Sequence, residues 1–446
     1  MKSSMVLESV PLYGLARHGR LSRWGSTEVT LETPLVMLHT SAAGHLDHLI
    51  PEAFKVAGLF PPATDHSAGL LPQELRHPIW NFPVSSFIQF WDRIQAQGRG
   101  LKSWFGLPEN ALTYLALQDS SKPQKTGFSN NTSRAVWTRG GRVALDLSLY
   151  QQLLTAAAPG LDVVQSLGDS DTPETAKPKR LDKAVYRTGR FLQETLGWIA
   201  QQEDSSGNAT QSNNSAASGE VEGPPKKLAK HPSNQPSLFL TLSGGLSKSH
   251  RTSCSADVAQ QLQQFEQQHG SPSDNLGLSS ISGFVLEGFH SFGDDPLGDT
   301  RSGLRPDLTD SLQSAFQPLP PDRLRLFPGS LNPAQIWALV RQGLDLFDSS
   351  YVNQLTRSDR LLLIGPKFPE DDTDWSLTDV RSKESENDHS PLTPTCSCYS
   401  CRTYSKAYIY HLCNTQELLA PMLISIHNLW QYVRAFEQIR KCLKPA

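Results

Sequence analysis

The 446-residue sequence has no apolar run near the roughly 18 residues that suggest a membrane-spanning helix. It has no excess of charge of one sign either. Forty-one Lys plus Arg stand against 44 Asp plus Glu, a formal net charge of −3. That excludes a globally basic nucleic-acid binder, though not a local basic face. Hydrophobic residues make up 38% and charged residues 19%, as expected for an ordinary core diluted by polar insertions. No G-x-G-x-x-G follows a strand, and there is no Walker loop and no internal repeat, so dinucleotide and nucleoside-triphosphate chemistry find no support. The first 23 residues hold no continuous apolar stretch, and a secretory signal is not expected. Arg17, Arg20 and Arg23 with Ser22 are faintly like a transit peptide, but residues 29–38 close behind read as folded core. Cysteine is scarce, with six in all: Cys254, Cys396, Cys398, Cys401, Cys413 and Cys442. Three of them fall within six residues, which is a metal-site pattern more than a disulfide framework, and a reducing, intracellular compartment is the default.

Short apolar strands alternate with helices. Residues 29–38 read as a strand pair broken at Pro34, and 83–98 as a strand running into a helix. Strands are expected at 112–118, at 136–147 with a Gly-Gly turn, and at 161–167, with a helix at 148–157 between the last two. Residues 180–202 form the clearest amphipathic helix, with Val185, Leu192, Leu196 and Ile199 at helical spacing. From 203 to 235 the composition turns to Ser, Asn, Gly, Gln and Pro, ending in Lys226, Lys227 and Lys230, and predicts a disordered surface insertion. Strands return at 237–242, 282–289, 324–327 and 344–350, with helices at 256–268 and 333–343. Residues 366–390 carry eight acids against three bases and read as loop, and two helices follow at 404–419 and 427–442. Strands that do not alternate suit burial on both faces, so a mostly parallel α/β core is expected, either an open sheet or a closed barrel.

The sharpest local signal is Cys396-Ser-Cys398-Tyr-Ser-Cys401. Thiolates are soft ligands that suit zinc, and a structural zinc ion takes four ligands in a tetrahedron. His411, Cys413, His427 and Cys442 are the candidates for the fourth. His427 is favoured, because it sits at the start of the second expected helix, where a helix–turn–helix return brings it back to the cysteines. A Cys3His set leaves no open position and is therefore structural. The plainer readings are three free buried cysteines, or a redox pair at Cys398 and Cys401 that leaves Cys396 unexplained.

Residues 396–412, CSCYSCRTYSKAYIYHL, followed by 424–440, ISIHNLWQYVRAFEQIR, closely resemble the zinc region of the tRNA-guanine transglycosylases. Arg402, Tyr404, Ser405, Lys406, Ala407, Tyr408, His411, Leu412, His427, Asn428 and Tyr432 fit that family's motif. Weaker likenesses follow in the family's order at 32–42, 161–169, 178–196, 237–245, 282–294 and 327–349. The resemblance implies a modified (β/α)8 TIM barrel over residues 1–390, interrupted at about 203–235, with a zinc-binding helical subdomain at 391–446. It also implies one structural Zn2+ per chain on Cys396, Cys398, Cys401 and His427.

The departures from the family decide the expected role. Its enzymes exchange guanine for a 7-deazaguanine base in the tRNA anticodon, using an Asp nucleophile and a second carboxylate as acid/base. The D-S-G-G-F-Q segment carrying the acid/base Asp is not found, and the region near 80–100 reads SSFIQFWD. The base-reading Asp becomes Gly168, with Asp169 one place off, and the Gln of V-Q-G-G becomes Ser243. Glu287–His290 replaces the GGLA loop, and Pro328 replaces the Met that stacks on the base. Asp348 holds the nucleophile's position, but the following P-T-R-x-x-R-N-G loop is replaced by residues 352–360, VNQLTRSDR.

This pattern predicts no catalytic residues and a non-catalytic accessory paralogue. Its implied partners are a catalytic queuine tRNA-ribosyltransferase subunit, in a heterodimer, and tRNA with a guanine at the wobble position. The implied location is cytoplasmic, with peripheral association at the mitochondrial outer membrane, although no span or lipidation motif supplies an anchor. Two alternatives are an active transglycosylase using Asp348 and a zinc-stabilised scaffold with no role in tRNA modification. Two basic clusters are left over: Lys177, Lys179, Arg180 and Lys183, and six Lys or Arg against two acids in residues 391–446.

Overall fold

The computed structural model describes residues 5–444, apart from 42–43, 45, 50–56, 60–70, 108–110, 123–124, 157–159, 174, 212–235, 270–279 and 290–303. Eight parallel strands close into a barrel. In barrel order they are β4 (Leu35–His39), β5 (Ile79–Pro83), β6 (Leu112–Ala116), β9 (Val163–Gln165), β10 (Ser237–Leu242), β11 (Ile281–Leu286), β12 (Leu324–Leu326) and β13 (Leu346–Asp348). The last closes on the first, Leu346 opposite Leu35. This is a (β/α)8 TIM barrel, so of the two parallel α/β arrangements left open by pattern the closed one is realised. The helices of the outer layer are α1 (Trp91–Gln97), α2 (Leu147–Ala156), α3 (Pro178–Gln211), α4 (Lys248–His269), α5 (Pro306–Phe316), α6 (Pro333–Val340) and α7 (Ser350–Arg357).

Each barrel strand divides its side chains between two cores, because successive residues point to opposite faces. Leu35, Met37, Leu112, Tyr114, Phe239, Val285 and Leu346 fill the barrel interior. Val36, Leu38, Leu115, Leu238, Leu240 and Phe347 pack outward into the helical layer. All six residues of β10 are therefore buried, and the absence of alternation in SLFLTL has this cause.

The N-terminal end of the barrel is closed by a three-stranded antiparallel sheet that the sequence reading only partly expected. It is formed by β1 (Met5–Ser9), β2 (Arg17–Trp24) and β3 (Thr27–Thr33). Leu21, Trp24 and Leu31 join the interior core, and Trp24 Nε1 donates to the Thr113 carbonyl at 2.9 Å. The β2–β3 turn needs glycine: Gly25 has φ +59°, and a Cβ there would lie 2.2 Å from the Asp162 carbonyl oxygen.

Two antiparallel hairpins interrupt the alternation: β7 (Ser133–Thr138) with β8 (Gly141–Asp146), and β14 (Arg360–Ile364) with β15 (Trp375–Asp379). The second corrects the reading of 366–390 as loop. Its acids sit beside a solvent-facing strand with little apolar content, which left no hydrophobic signal. The chain ends in α8 (Tyr399–Thr403), α9 (Lys406–Asn414) and α10 (Leu419–Leu443). Helix α10 begins at Leu419, so His427 lies two turns inside it and not at its start. Helix α3 runs to Gln211, beyond the expected end at 202. The rest of the expected insertion, with its lysines, lies outside the described residues, as does His290.

The interior core predicts the cost of emptying it. Phe239→Ala is expected to lower unfolding free energy by about 3–5 kcal/mol, read from the shift of a urea transition. Gly25→Ala, at the exposed rim of that core, should also destabilise, through backbone clash.

Candidate functional site

The three cysteines and the histidine converge. Cys398 is the N-cap of α8, its sulfur accepting from the Cys401 backbone N–H at 3.4 Å. This turn places Cys396, Cys398 and Cys401 on one side of the knuckle. Helix α10 brings His427 against them, and the four ligand atoms lie within 4.8 Å of one another, all buried. His427 Nδ1 is 3.2 Å from Cys401 Sγ and 3.7 Å from Cys398 Sγ. The other ring nitrogen, Nε2, donates to the Leu362 carbonyl at 3.0 Å. That bond leaves Nδ1 to face the sulfurs, the orientation that a metal-binding imidazole needs.

Cys396 is held well below the ordinary thiol range by hydrogen bonds from Cys398 and Cys401, while its two neighbours push Cys398 well above it. Three sulfurs this close are not all thiolates without a cation among them. The donor set and spacing fit a tetrahedral soft-ligand ion. The other candidates lie elsewhere. His411 is on α9, Cys413 is buried beside Asp359 at 3.9 Å, and Cys442 is at the far end of α10.

Helix α10 ties this cluster to the barrel with buried polar side chains. Asn428 Oδ1 accepts from Leu362 N at 2.8 Å, Asn428 Nδ2 donates to the Arg360 carbonyl at 2.8 Å, and Gln431 Oε1 accepts from Ile364 N at 3.1 Å. These bonds satisfy the open edge of β14. One turn on, the Tyr432 hydroxyl donates to the Leu331 carbonyl at 2.8 Å. Tyr432 and Phe436 are fully buried, so this apolar face is core against the barrel and not a free surface. Three of the six C-terminal Lys and Arg residues are paired within the chain. Arg440 pairs with Glu74 at 2.5 Å, Lys406 with Asp388 at 2.8 Å and Lys444 with Glu32 at 2.8 Å.

The C-terminal mouth of a TIM barrel is where such folds place their chemistry. Here it is filled by the chain's own side chains. Arg134, from β7, and Glu287, after β11, form a buried pair at 2.7 Å, and Arg134 also donates to the Gly168 carbonyl at 3.2 Å. Arg251 is fully buried and donates to the carbonyls of Leu242, Gly245 and Glu287 at 2.7–2.9 Å. Its guanidinium lies 4.5 Å over the Phe289 ring, which stacks on Phe327 at 4.9 Å. Asp169, also fully buried, pairs with Arg180 at 2.7 Å and with Arg187 at 2.8 Å. Burial alone would raise its carboxyl, but the two arginines hold it below the ordinary range.

Asp348 lies at the end of β13, fully buried. Its carboxylate accepts from Ser120 Oγ at 2.8 Å, Gly329 N at 3.1 Å and Ser350 N at 2.9 Å. Of the roughly four acceptor sites of a carboxylate, these three donors engage most, two of them on Oδ2.

Ser120 also corrects the search for the acid/base segment. Asp119-Ser120 follows the third barrel strand and keeps the first two residues of D-S-G-G-F-Q, whereas residues 80–100 were the wrong place to look. The available signal was an Asp-Ser pair directly after the 112–118 strand. Asp119 lies 3.0 Å from His39 Nε2 and 2.7 Å from Lys122 Nζ. Burial would raise its carboxyl, but His39, Lys122 and Ser121 hold it far below the ordinary range. The same contact, with Asp348 and Asp47, raises His39 against the opposing effect of burial. A carboxylate kept ionised has no proton to donate as a general acid at neutral pH.

A closed parallel barrel followed by a buried Cys3His cluster packed on β14 defines a transglycosylase-type architecture. The family model for queuine tRNA-ribosyltransferase matches residues 14–445, and the chain belongs to that family. It is 28% identical over 431 residues to a protein of Caenorhabditis elegans named queuine tRNA-ribosyltransferase accessory subunit 2, covering 96% of each chain. Proteins of the same name from Caenorhabditis briggsae (28%, 96% of each chain) and Ixodes scapularis (28%, 94% of this chain and 91% of the relative) are similar to it.

Two outcomes follow for the C-terminal helices. Cys396→Ser is expected to lose bound metal and lower the melting temperature, measured by elemental analysis and calorimetry. Normal metal content with normal melting would remove the cluster as a metal site. Asn428→Ala leaves two backbone groups of β14 without partners and should cost about 1–3 kcal/mol for each group, read by chemical denaturation.

The Asp119 environment predicts a pH dependence. Its carboxyl is depressed in the folded state, so its stabilising contribution is present above the unfolded value of about 3.9. It is lost as the pH falls below that value. Asp119→Asn should flatten the acid limb of a stability–pH curve.

Proposed function

We propose that this chain is the non-catalytic accessory subunit of a heterodimeric queuine tRNA-ribosyltransferase, which exchanges the wobble guanine of tRNA for queuine. In this reading the barrel, residues 1–390, and the C-terminal subdomain, residues 391–446, supply dimer interface and tRNA docking surface while the partner performs base exchange. One structural Zn2+, held by Cys396, Cys398, Cys401 and His427, fixes the C-terminal helices to the barrel. The observation that carries the reading is the internal Arg134–Glu287 pair, which occupies the barrel mouth where a flat base would need open space. The names of the relatives support the same conclusion. The chain is assigned to the cytoplasm. Attachment at the mitochondrial outer membrane is then peripheral, because no helix among the described residues is long and apolar enough to cross a bilayer.

One observation favours a second reading, an active transglycosylase. Asp119 precedes Ser120, whose hydroxyl donates to Asp348, and both carboxylates act on His39, as two neighbouring working carboxylates would. The two readings separate in a guanine-exchange assay on tRNA with a wobble guanine. Under the accessory reading the chain alone is inactive, and mixing it with a catalytic subunit yields exchange that Asp348→Asn leaves intact, provided the variant melts normally. Exchange by the chain alone, abolished in that variant, would establish the second reading instead.

A further inference from the structure

The β7–β8 hairpin stands at the rim of the barrel mouth and is fastened to the third barrel strand. Gln118 Oε1 accepts from Trp137 N at 3.0 Å, and Gln118 Nε2 donates to the Trp137 carbonyl at 3.2 Å. On this support sit two aromatic rings, Phe128 and Trp137, edge to face at 5.0 Å. Phe128 is 44% exposed. Lys125 Nζ lies 4.8 Å from the Trp137 ring, and the Arg142 guanidinium lies 5.7 Å from the Phe128 ring. Lys125, Arg139 and Arg142 are exposed, and the one acid in residues 125–146 is Asp146, which caps Leu149 N at 2.8 Å.

The surface continues onto α3. Asp171 accepts from the backbone N–H groups of Phe128 and Ser129 at 2.9 and 2.7 Å, and Arg180 pairs with the same carboxylate. Arg187 reaches Asn131 at 2.9 Å. Arg180 and Arg187 are two turns apart and take the inward side of the helix. Lys179, Lys183 and Tyr186 recur at i, i+4 and i+7 on an adjacent stripe, all exposed, Tyr186 to 60%. The acid among them, Asp182, pairs with His250 at 3.1 Å. Asp169 and Asp171, behind the hairpin, are buried and paired with the inward arginines, so of the acids around the strip only Asp146 and Asp182 face outward, against five cations.

Clustered cations beside exposed aromatic rings form the combination that tracks a phosphate backbone and stacks unpaired bases. We propose that this strip is an RNA-binding surface, with Lys125, Arg139, Arg142, Lys179 and Lys183 meeting phosphates and Phe128 taking an unpaired base. The assignment rests on the tRNA-docking reading above and places that docking on the hairpin and α3, away from the cysteine knuckle.

The test uses the chain reconstituted with its catalytic subunit and an unmodified tRNA transcript bearing a wobble guanine. Two variants are compared with the natural chain: Phe128→Ala, and the triple reversal Lys125→Glu, Arg139→Glu, Arg142→Glu. The triple variant should weaken tRNA binding more than tenfold, and each lost phosphate contact should flatten the dependence of log K on log salt by about 0.7–0.9. Phe128→Ala should weaken binding about tenfold with the salt slope unchanged. Heterodimer formation, read by sedimentation, should be normal in both. Natural tRNA affinity and salt slope in the triple variant would overturn the proposal. Loss of the catalytic subunit with it would overturn the proposal too, making the strip a protein interface. Failure of the natural complex to bind tRNA would instead remove the docking reading, and the surface with it.

Discussion

An exposed strand edge must find partners for its backbone, and the C-terminal half of this protein is organised around one such edge. Strand β14 follows the last barrel strand by a single helix and pairs on one side only with β15. Its other side is satisfied by side chains of α10: His427, Asn428 and Gln431 engage the backbone of Arg360, Leu362 and Ile364. A helix does this only if its position along the strand is held to a fraction of an ångström, since hydrogen bonds weaken steeply with misalignment. The cluster of three thiols and an imidazole supplies that restraint at one end, and the buried Arg440–Glu74 pair supplies it at the other. His427 belongs to both systems, with one ring nitrogen on the strand and the other toward the sulfurs.

The barrel mouth follows a related logic. A pocket built to bind a polar base leaves buried donors and acceptors that the ligand must satisfy. In this chain many of those groups engage one another. Arg134 meets Glu287, Arg251 gathers three carbonyl oxygens, Asp169 is clamped between two arginines, and Asp348 is engaged by three donors. Removing one partner from such a buried network would strand a charge, at a cost of roughly 3–5 kcal/mol. The network therefore stabilises the scaffold and fills the mouth of the barrel with the chain's own side chains.

Much of this was legible in the residues. The C-x-C-x-x-C spacing and the resemblance around it selected the four members of the buried cluster, and the strand-helix alternation predicted a parallel core. The N-terminal sheet was largely missed, because β1 offers only three consecutive apolar residues and β2 carries Arg17, Arg20 and Arg23 among few apolar side chains. The β14–β15 hairpin was hidden because its second strand lies in an acidic stretch, although β14 itself is the apolar run Leu361–Ile364. Asp119 was missed because only two residues of its motif remain, and two residues do not make a signal until the strand before them is placed. The start of α10 was misjudged because residues 419–426 are mostly apolar, include Pro421, and have no side-chain N-cap before them.

By itself the sequence determined which residues must be buried and which chemistry the cysteines favour, since both depend on side-chain type and local spacing. Only the tertiary structure decided that the barrel closes, that Glu287 finds Arg134 from a hairpin 153 residues away, and that three donors converge on Asp348. These outcomes depend on which groups meet across long separations in the chain. Local periodicity has no means of encoding such pairings, because the energy that selects them comes from satisfying buried charges and backbone edges after the fold has brought them together.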